Sequence, residues 1–178
     1  PELAVKAGST GKPVLTWNKI SGAKKYEIWR SVDGAAFKKL TTVTKTTYTD
    51  TKATEGAECT YKVKALGSKS AYNGNFSEVK GCYVICAAPT VTIKVDAATG
   101  KPSLSWKKVT GATGYQVYYS TNNSDYKKVV TTTSRATTKT FSKSAKGKKI
   151  YFKVRAYKKV NGQTIYGNWS AAKSVKLK

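Results

Sequence analysis

The chain has 178 residues, 39% of them hydrophobic, and 33 Lys and Arg against 9 Asp and Glu give a net charge of +24 at pH 7. No apolar run approaches the roughly 20 residues of a membrane-spanning helix, so we expect no transmembrane segment. His and Met are absent, which excludes Ser-His-Asp and Cys-His catalysis and every metal site that uses His.

Short runs of alternating polar and apolar residues follow one another along the chain, separated by Gly, Asn and Ser turns, and none has a helical period. In the first half they predict strands near 3–7, 13–18, 25–31, 36–43, 46–49, 58–66 and 76–85. In the second half they predict strands near 90–96, 102–108, 114–120, 126–132, 138–142, 149–158 and 168–177. Asn161-Gly162 predicts a tight hairpin turn. Seven short strands in each half indicate antiparallel β-sandwiches.

The alternation within these strands also predicts which side chains face the core. In the first half the inward residues are Leu15, Trp17, Tyr26, Ile28, Tyr61 and Val63. In the second half they are Leu104, Trp106, Tyr115, Val117, Phe152 and Val154.

The sequence repeats itself once, at an interval that drifts from 89 to 91 and then 93 residues. Four segments return: Gly11–Trp17 as Gly100–Trp106, Gly22–Ile28 as Gly111–Val117, Tyr61–Ala65 as Phe152–Ala156, and Gly74–Ser77 as Gly167–Ser170. A period this long is a whole domain, and its drift is expected when insertions fall in loops. We therefore predict one domain over residues 1–86 and a second over 87–178, placed end to end by a short linker that contains Pro89.

The repeated motifs resemble fibronectin type III domains: a Trp late in the second strand, Gly-Ala-x-x-Tyr-x-[Ile/Val] opening the third, [Tyr/Phe]-Lys-Val-[Lys/Arg]-Ala in the sixth, and a closing Gly-Asn-[Phe/Trp]-Ser. The second copy looks specifically like modules of large Gram-positive surface and secreted proteins. The resemblance implies two tandem seven-stranded sandwiches and an extracellular location. One departure is that the family's usual tyrosine, six positions before the Ala, is Cys59 in the first copy and Ile150 in the second. We expect the tyrosine-corner hydrogen bond to be absent or supplied from elsewhere.

Three cysteines offer one candidate cross-link. The resemblance implies that the sixth and seventh strands pair antiparallel, which places Cys59 roughly opposite residues 82–86. A disulfide from Cys59 to Cys82 or to Cys86 can then form, and it would suit an oxidising exterior. The alternative is three buried thiols that pack as small hydrophobic groups.

The residues give no basis for catalysis. The second domain has two acids, Asp96 and Asp125, whose predicted positions do not suggest a glycosidase-like carboxylate pair. No loop has calcium-ligand spacing, no glycine-rich phosphate loop precedes a helix, and the cysteines lack the Cys-x-x-Cys spacing of a zinc site. We expect a protein that is not an enzyme and uses no metal or cofactor.

The outward positions of the third and sixth strands form a candidate ligand face. Trp29 and Tyr118 are equivalent, out of phase with the core, and are expected to face solvent beside cations. The full set is Trp29, Lys62 and Lys64 in the first domain and Tyr118, Tyr151, Lys153 and Arg155 in the second. Such a face can stack a sugar ring or a base and pair with its carboxylate or phosphate. The favoured alternative is that the Lys62 and Lys64 stems simply cover Trp29.

The charge is unevenly shared, because residues 1–86 hold 14 basic and 7 acidic side chains and residues 87–178 hold 19 and 2. The main hypothesis is a monomeric, non-catalytic spacer or adhesion segment of a larger bacterial surface or secreted protein, whose partners are neighbouring domains of the same longer chain. The alternative is a carbohydrate- or cell-wall-binding module that targets an attached enzyme to an anionic wall polymer or polysaccharide. Salt-dependent binding of nucleic acid or another polyanion is the minor alternative, since no nucleic-acid motif is present.

Overall fold

The computed structural model describes residues 1–138 and 146–177 of the chain. The chain divides into two compact units, Pro1–Val84 and Ile85–Lys178. The described part contains β-strands, one 3₁₀ turn at Ser70–Tyr72 and no α-helix. The division lies two residues before the boundary expected from the sequence, and Cys86 packs in the core of the second unit.

Two antiparallel sheets form the first unit. One has the strand order β1-β2-β5 and the other β4-β3-β6-β7. The strands are β1 Leu3–Ala7, β2 Pro13–Trp17, β3 Lys25–Val32, β4 Lys38–Val43, β5 Thr47–Thr49, β6 Glu58–Leu66 and β7 Lys80–Tyr83.

The second unit repeats this plan with the sheets β12-β9-β8 and β11-β10-β13-β14, and β15 also pairs with β13. Its strands are β8 Val91–Val95, β9 Pro102–Trp106, β10 Gly114–Ser120, β11 Lys127–Thr132, β12 Ala136–Thr138, β13 Lys149–Val160, β14 Gln163–Trp169 and β15 Lys173–Lys176. Of the strand predicted at 138–142, residues 139–142 lie outside the described residues. Asn161 and Gly162 both have positive φ, 48° and 80°, and join β13 to β14 in the predicted tight turn.

The seventh predicted strand is too long in both units, for the same physical reason. Only Lys80–Tyr83 of the predicted 76–85 is a strand. Of the predicted 168–177, the first two residues end β14 and Lys173–Lys176 form β15. In the first unit the Val63 N–H donates to Ser77 Oγ at 3.0 Å instead of to a backbone carbonyl. In the second, the Val154 N–H donates to Ser170 Oγ at 3.0 Å. A serine hydroxyl thus accepts a hydrogen bond that a backbone carbonyl of the seventh strand would otherwise accept, and the strand is interrupted there.

The predicted core residues are all buried, in one hydrophobic cluster per unit. Each core contains the same edge-to-face pair, Trp17 with Tyr26 at 5.5 Å and Trp106 with Tyr115 at 5.3 Å between ring centroids. Each tyrosine hydroxyl accepts a loop backbone N–H, from Ile20 at 2.9 Å and from Val109 at 3.0 Å. The two units therefore share packing detail as well as topology.

A buried carboxylate ties three parts of the first unit together. Asp50 is fully buried, and its Oδ2 accepts from Arg30 Nη1 at 2.7 Å and from the Tyr61 hydroxyl at 2.9 Å. The Asp50 N–H donates to the Pro13 carbonyl at 2.9 Å. Burial raises the pKa of the Tyr61 hydroxyl far above its ordinary value, and the Asp50 carboxylate adds to this effect. Cys59 stands at the family's usual tyrosine position, and Tyr61, two positions later, supplies a buried hydroxyl hydrogen bond in this unit.

The sequence of the second unit does not repeat the residues of this cluster. By the repeat offsets, Arg30, Asp50 and Tyr61 correspond to Tyr119, Lys139 and Phe152. Phe152 is fully buried and has no hydroxyl, so the hydroxyl that donates to Asp50 in the first unit has no equivalent at this position.

We expect Asp50→Asn to destabilise the first unit by about 3 kcal/mol, because it leaves the partly buried Arg30 guanidinium without its carboxylate. Tyr61→Phe should cost about 1–2 kcal/mol. Hydrogen exchange of the full chain, resolved by peptide, measures the two units separately. Asp125→Asn, the same chemical change in an exposed turn, is the control. Equal protection of the first unit in Asp50→Asn and the control would contradict the role of the cluster.

Candidate functional site

The candidate face of the first unit is the outer side of the sheet β4-β3-β6-β7. The antiparallel register places Trp29 opposite Lys62 on β6 and opposite Lys39 on β4, and it places Glu27 opposite Lys64. Buried core residues alternate with these along β3 and β6. Trp29, Lys62 and Lys64 therefore lie together on one face, each half-buried.

The Lys62 ammonium group lies among three aromatic rings. Its Nζ is 4.3 Å from the ring centroid of Phe76, 4.7 Å from that of Phe37 and 5.8 Å from that of Trp29. Lys64 Nζ lies 5.5 Å from the Phe76 centroid, and Phe76 meets Trp29 edge-on at 5.8 Å. Lys62 thus lies over Trp29 as the favoured alternative expected, whereas Lys64 lies over Phe76.

Glu27 reduces the positive charge of this face. Its carboxylate accepts from Lys39 Nζ and from the Trp29 indole N–H, the latter at 3.3 Å. The hydrogen bond from Lys39 is the main cause that holds the pKa of Glu27 below its ordinary value, against the opposing effect of partial burial. Glu27 is thus both a ring anchor and a local counter-charge.

The second unit has the same arrangement on the outer side of β10 and β13. Lys153 Nζ lies 3.8 Å from the Tyr126 centroid and 4.6 Å from that of Trp169. Arg155 Cζ lies 4.5 Å from the Trp169 centroid and 3.8 Å from that of Tyr166. Tyr118 meets Trp169 edge-on at 5.0 Å, and Lys149 Nζ is 5.3 Å from the ring of Tyr151. All four residues predicted for this face lie on it.

We call this set of six equivalent positions the cation–aromatic ladder. Its members are Glu27/Gln116, Trp29/Tyr118, Phe37/Tyr126, Lys62/Lys153, Lys64/Arg155 and Phe76/Trp169. Gln116 differs from Glu27 in carrying no charge, and its Oε1 accepts from Arg155 Nε at 3.0 Å and Nη2 at 2.8 Å. In both units the cations lie on the protein's own rings, so the ladder links neighbouring strands through its own side chains.

Several ladder residues were not predicted from the sequence. Glu27 and Gln116 lie two positions before Trp29 and Tyr118, so strand alternation alone places them on the same face. Phe76 and Trp169 lie in the repeated Gly-Asn-[Phe/Trp]-Ser motif, which was a detectable signal. Phe37 and Tyr126 precede the fourth strand of each unit, and no local pattern indicates their contact with the sixth.

Cys59 and Cys82 lie directly opposite each other in the antiparallel pairing of β6 and β7. No disulfide joins the three cysteines in this structure; Cys59 is fully buried and Cys82 half-buried. Burial raises the pKa of both Cys59 and Cys82. Cys86 lies in the core of the second unit, where its carbonyl accepts the Asn168 N–H at 3.1 Å. The geometry therefore favours Cys82 as the partner of Cys59.

The described ranges, 1–138 and 146–177, contain no group of three or more His, Cys, Asp or Glu that could hold a metal ion. Within those ranges no helix is both long and apolar enough to span a bilayer.

No protein-family model matches the chain. The amylopullulanase of Thermoanaerobacterium saccharolyticum is 37% identical to it over an alignment of 75 residues, which covers 39% of this chain and 6% of that protein. The chain therefore corresponds to a small part of this relative's length.

Two solved structures are similar to the chain. The chicken interferon gamma receptor alpha chain gives a TM-score of 0.61 at 11% identity, over 98% of this chain and 96% of that one. The chicken CNTN1 FN1-FN3 domains give a TM-score of 0.42 at 22% identity, over 99% of this chain and 66% of that one. At these identities the likeness concerns the fold. The chain consists of two tandem antiparallel β-sandwiches of the fibronectin type III and immunoglobulin-like type.

We expect Lys153→Met to destabilise the second unit by about 1 kcal/mol, because methionine keeps an apolar stem over Tyr126 and Trp169 but removes the cation. For a unit of this size the loss corresponds to about 4–8 °C in melting temperature. Calorimetry of the full chain measures it. Lys108→Met, in the exposed loop after β9, is the control. A melting temperature that falls no further than in the control would show that the cation–ring contacts contribute nothing.

We propose that Cys59 and Cys82 form a disulfide when oxidised glutathione is supplied. Each thiol loses a proton, one S–S bond forms, and the two electrons reduce oxidised glutathione to two thiols. Because the pKa of both cysteines is raised, the reaction should accelerate as pH rises through the alkaline range. Mass spectrometry should show the loss of two hydrogens with Cys86 still alkylatable, and Cys82→Ser should abolish the bridge. Three alkylatable thiols after prolonged oxidation would contradict the proposal.

Proposed function

We propose that this chain is a non-catalytic spacer in a larger extracellular protein that acts on polysaccharide. The observation that carries the proposal is the cation–aromatic ladder. On both candidate ligand faces, the protein's own cations lie against the aromatic rings. Lys62 and Lys153 each lie within 5 Å of at least two ring centroids. A sugar ring would have to displace these contacts to stack there.

The relative supports the context of this proposal. The matched segment is 6% of a protein named for its action on polysaccharide, which is the size expected of an accessory part. The fold is one that unrelated proteins use to present or to space other domains, so it supports the role without specifying it. The same proposal includes that the larger protein is bacterial and that it is secreted or exposed on the cell surface.

A carbohydrate-binding module that targets an attached enzyme is the second candidate. The observation in its favour is Tyr166, which is 41% exposed on the outer face of the second unit. Arg155 lies 3.8 Å from its ring centroid, so one side of this ring is already in contact with a cation. This candidate needs the other side to bind sugar.

We expect no binding of the full chain to neutral α-glucans. Affinity electrophoresis in gels containing pullulan or amylose should leave its mobility unchanged relative to gels without polysaccharide. Tyr166→Ala should migrate like the parent chain in every gel. Retardation that saturates with glucan concentration and disappears in Tyr166→Ala would replace the spacer with the carbohydrate-binding module.

A further inference from the structure

The outer faces of the two units differ in charge although their backbones are equivalent. At six matched positions the first unit has Glu27, Lys39, Glu58, Lys62, Lys64 and Tyr83, and the second has Gln116, Lys128, Lys149, Lys153, Arg155 and Lys176. The first set has a net charge of +1 and the second +5. The two acids of the first set, Glu27 and Glu58, are replaced by a neutral and a basic residue in the second set. The difference in charge is therefore confined to side chains.

The five cations of the second set form a band across the four adjacent strands β11, β10, β13 and β15, and three of these strands carry the cations. Lys128 is on β11, Lys176 is on β15, and the others are on β13. Outward residues along one strand are about 7 Å apart and neighbouring strands about 5 Å apart, so Lys149 and Arg155 lie about 20 Å from each other. Lys149 and Lys176 are direct cross-strand partners and both are exposed. Like charges placed opposite each other are unfavourable in the absence of an anion.

The carboxylates of Asp96 and Asp125, in the same unit, form hydrogen bonds in turns outside this band. Asp96 Oδ1 accepts from the Thr99 N–H and hydroxyl, both at 2.7 Å, in the turn after β8. The hydroxyl hydrogen bond is the main cause that lowers the pKa of Asp96. Asp125 Oδ2 accepts from Asn122 Nδ2 at 2.6 Å in the turn before β11. Neither acid occupies an outward position on β10, β11, β13 or β15, so the band has no carboxylate among its matched positions.

We propose that this band, consisting of Lys128, Lys149, Lys153, Arg155 and Lys176, binds a linear polyuronate, an anionic polysaccharide with a carboxylate on each sugar. The choice of a polysaccharide rests on the proposed function, and the choice of an anionic one rests on the charge band. The rings of the ladder are covered by cations, so carboxylate–ammonium pairing and not ring stacking provides the binding. Binding weakens as salt rises, because the lysines are near the surface.

The first unit provides the comparison within the same molecule. Glu27 accepts from Lys39, and Glu58 lies opposite Tyr83 where the second unit has Lys149 opposite Lys176. A polyuronate that meets this face encounters two carboxylates among three lysines. Binding should therefore be restricted to the second unit.

Calorimetric titration of the full chain with polygalacturonate oligomers at low salt tests the proposal. Lys149→Gln with Lys176→Gln should weaken binding about tenfold, because two exposed ion pairs are lost. The control is Lys94→Gln with Lys107→Gln, which removes the same charge from exposed positions on β8 and after β9. An equal loss in both double variants would show attraction by net charge alone and overturn the site.

A gain-of-binding variant keeps the test independent of folding losses. Glu27→Gln, Glu58→Lys and Tyr83→Lys together place the second unit's pattern on the first, and they should add a second equivalent of polygalacturonate.

Single-stranded DNA of similar charge is the competitor. If it displaces the polyuronate at lower concentration, the polysaccharide assignment is wrong. Absence of polygalacturonate binding overturns this inference and leaves the spacer intact, whereas binding of neutral glucan contradicts the spacer alone.

Discussion

The pairing of β3 with β6, repeated by β10 with β13, is the constraint on which the other features depend. Its register puts Ile28 beside Val63 on the core side and Trp29 beside Lys62 on the outer side. Because strand side chains alternate, a shift of one residue would move the core residues into solvent and the cations into the interior. The alternation of core pairs with the central cation–ring pairs is therefore a consequence of this register.

The two units use this common framework with different electrostatics. In the first, the fully buried Asp50 and the partly exposed Glu27 each neutralise a neighbouring cation. In the second, Phe152 takes the place of Tyr61 and Gln116 takes the place of Glu27, so an apolar ring replaces a neutral phenol and a neutral amide replaces a carboxylate. The loss of the Glu27 carboxylate leaves the cations on the outer face of the second unit without that counter-charge.

Features set by strand alternation could be predicted from the sequence, and features set by contacts between distant segments could not. The inward positions of Leu15, Ile28 and Val63 follow from a period of two residues. The Asp50 cluster gave no such signal, since its partners lie 20 and 11 residues away in sequence. The seventh strand was predicted too long because a serine side chain that replaces a backbone carbonyl leaves the apolar pattern unchanged.

The interrupted seventh strand has a consequence for assembly. Adjacent copies of one fold are held at high local concentration and are prone to exchange strands while they fold. β7 has four residues and β15 has four, each carries exposed lysine, and in both units a serine bond interrupts the ladder just before it. Short, charged and broken edges are poor templates for another strand. We therefore expect the interruption at the serine to disfavour domain swapping and edge-to-edge aggregation of a tandem protein.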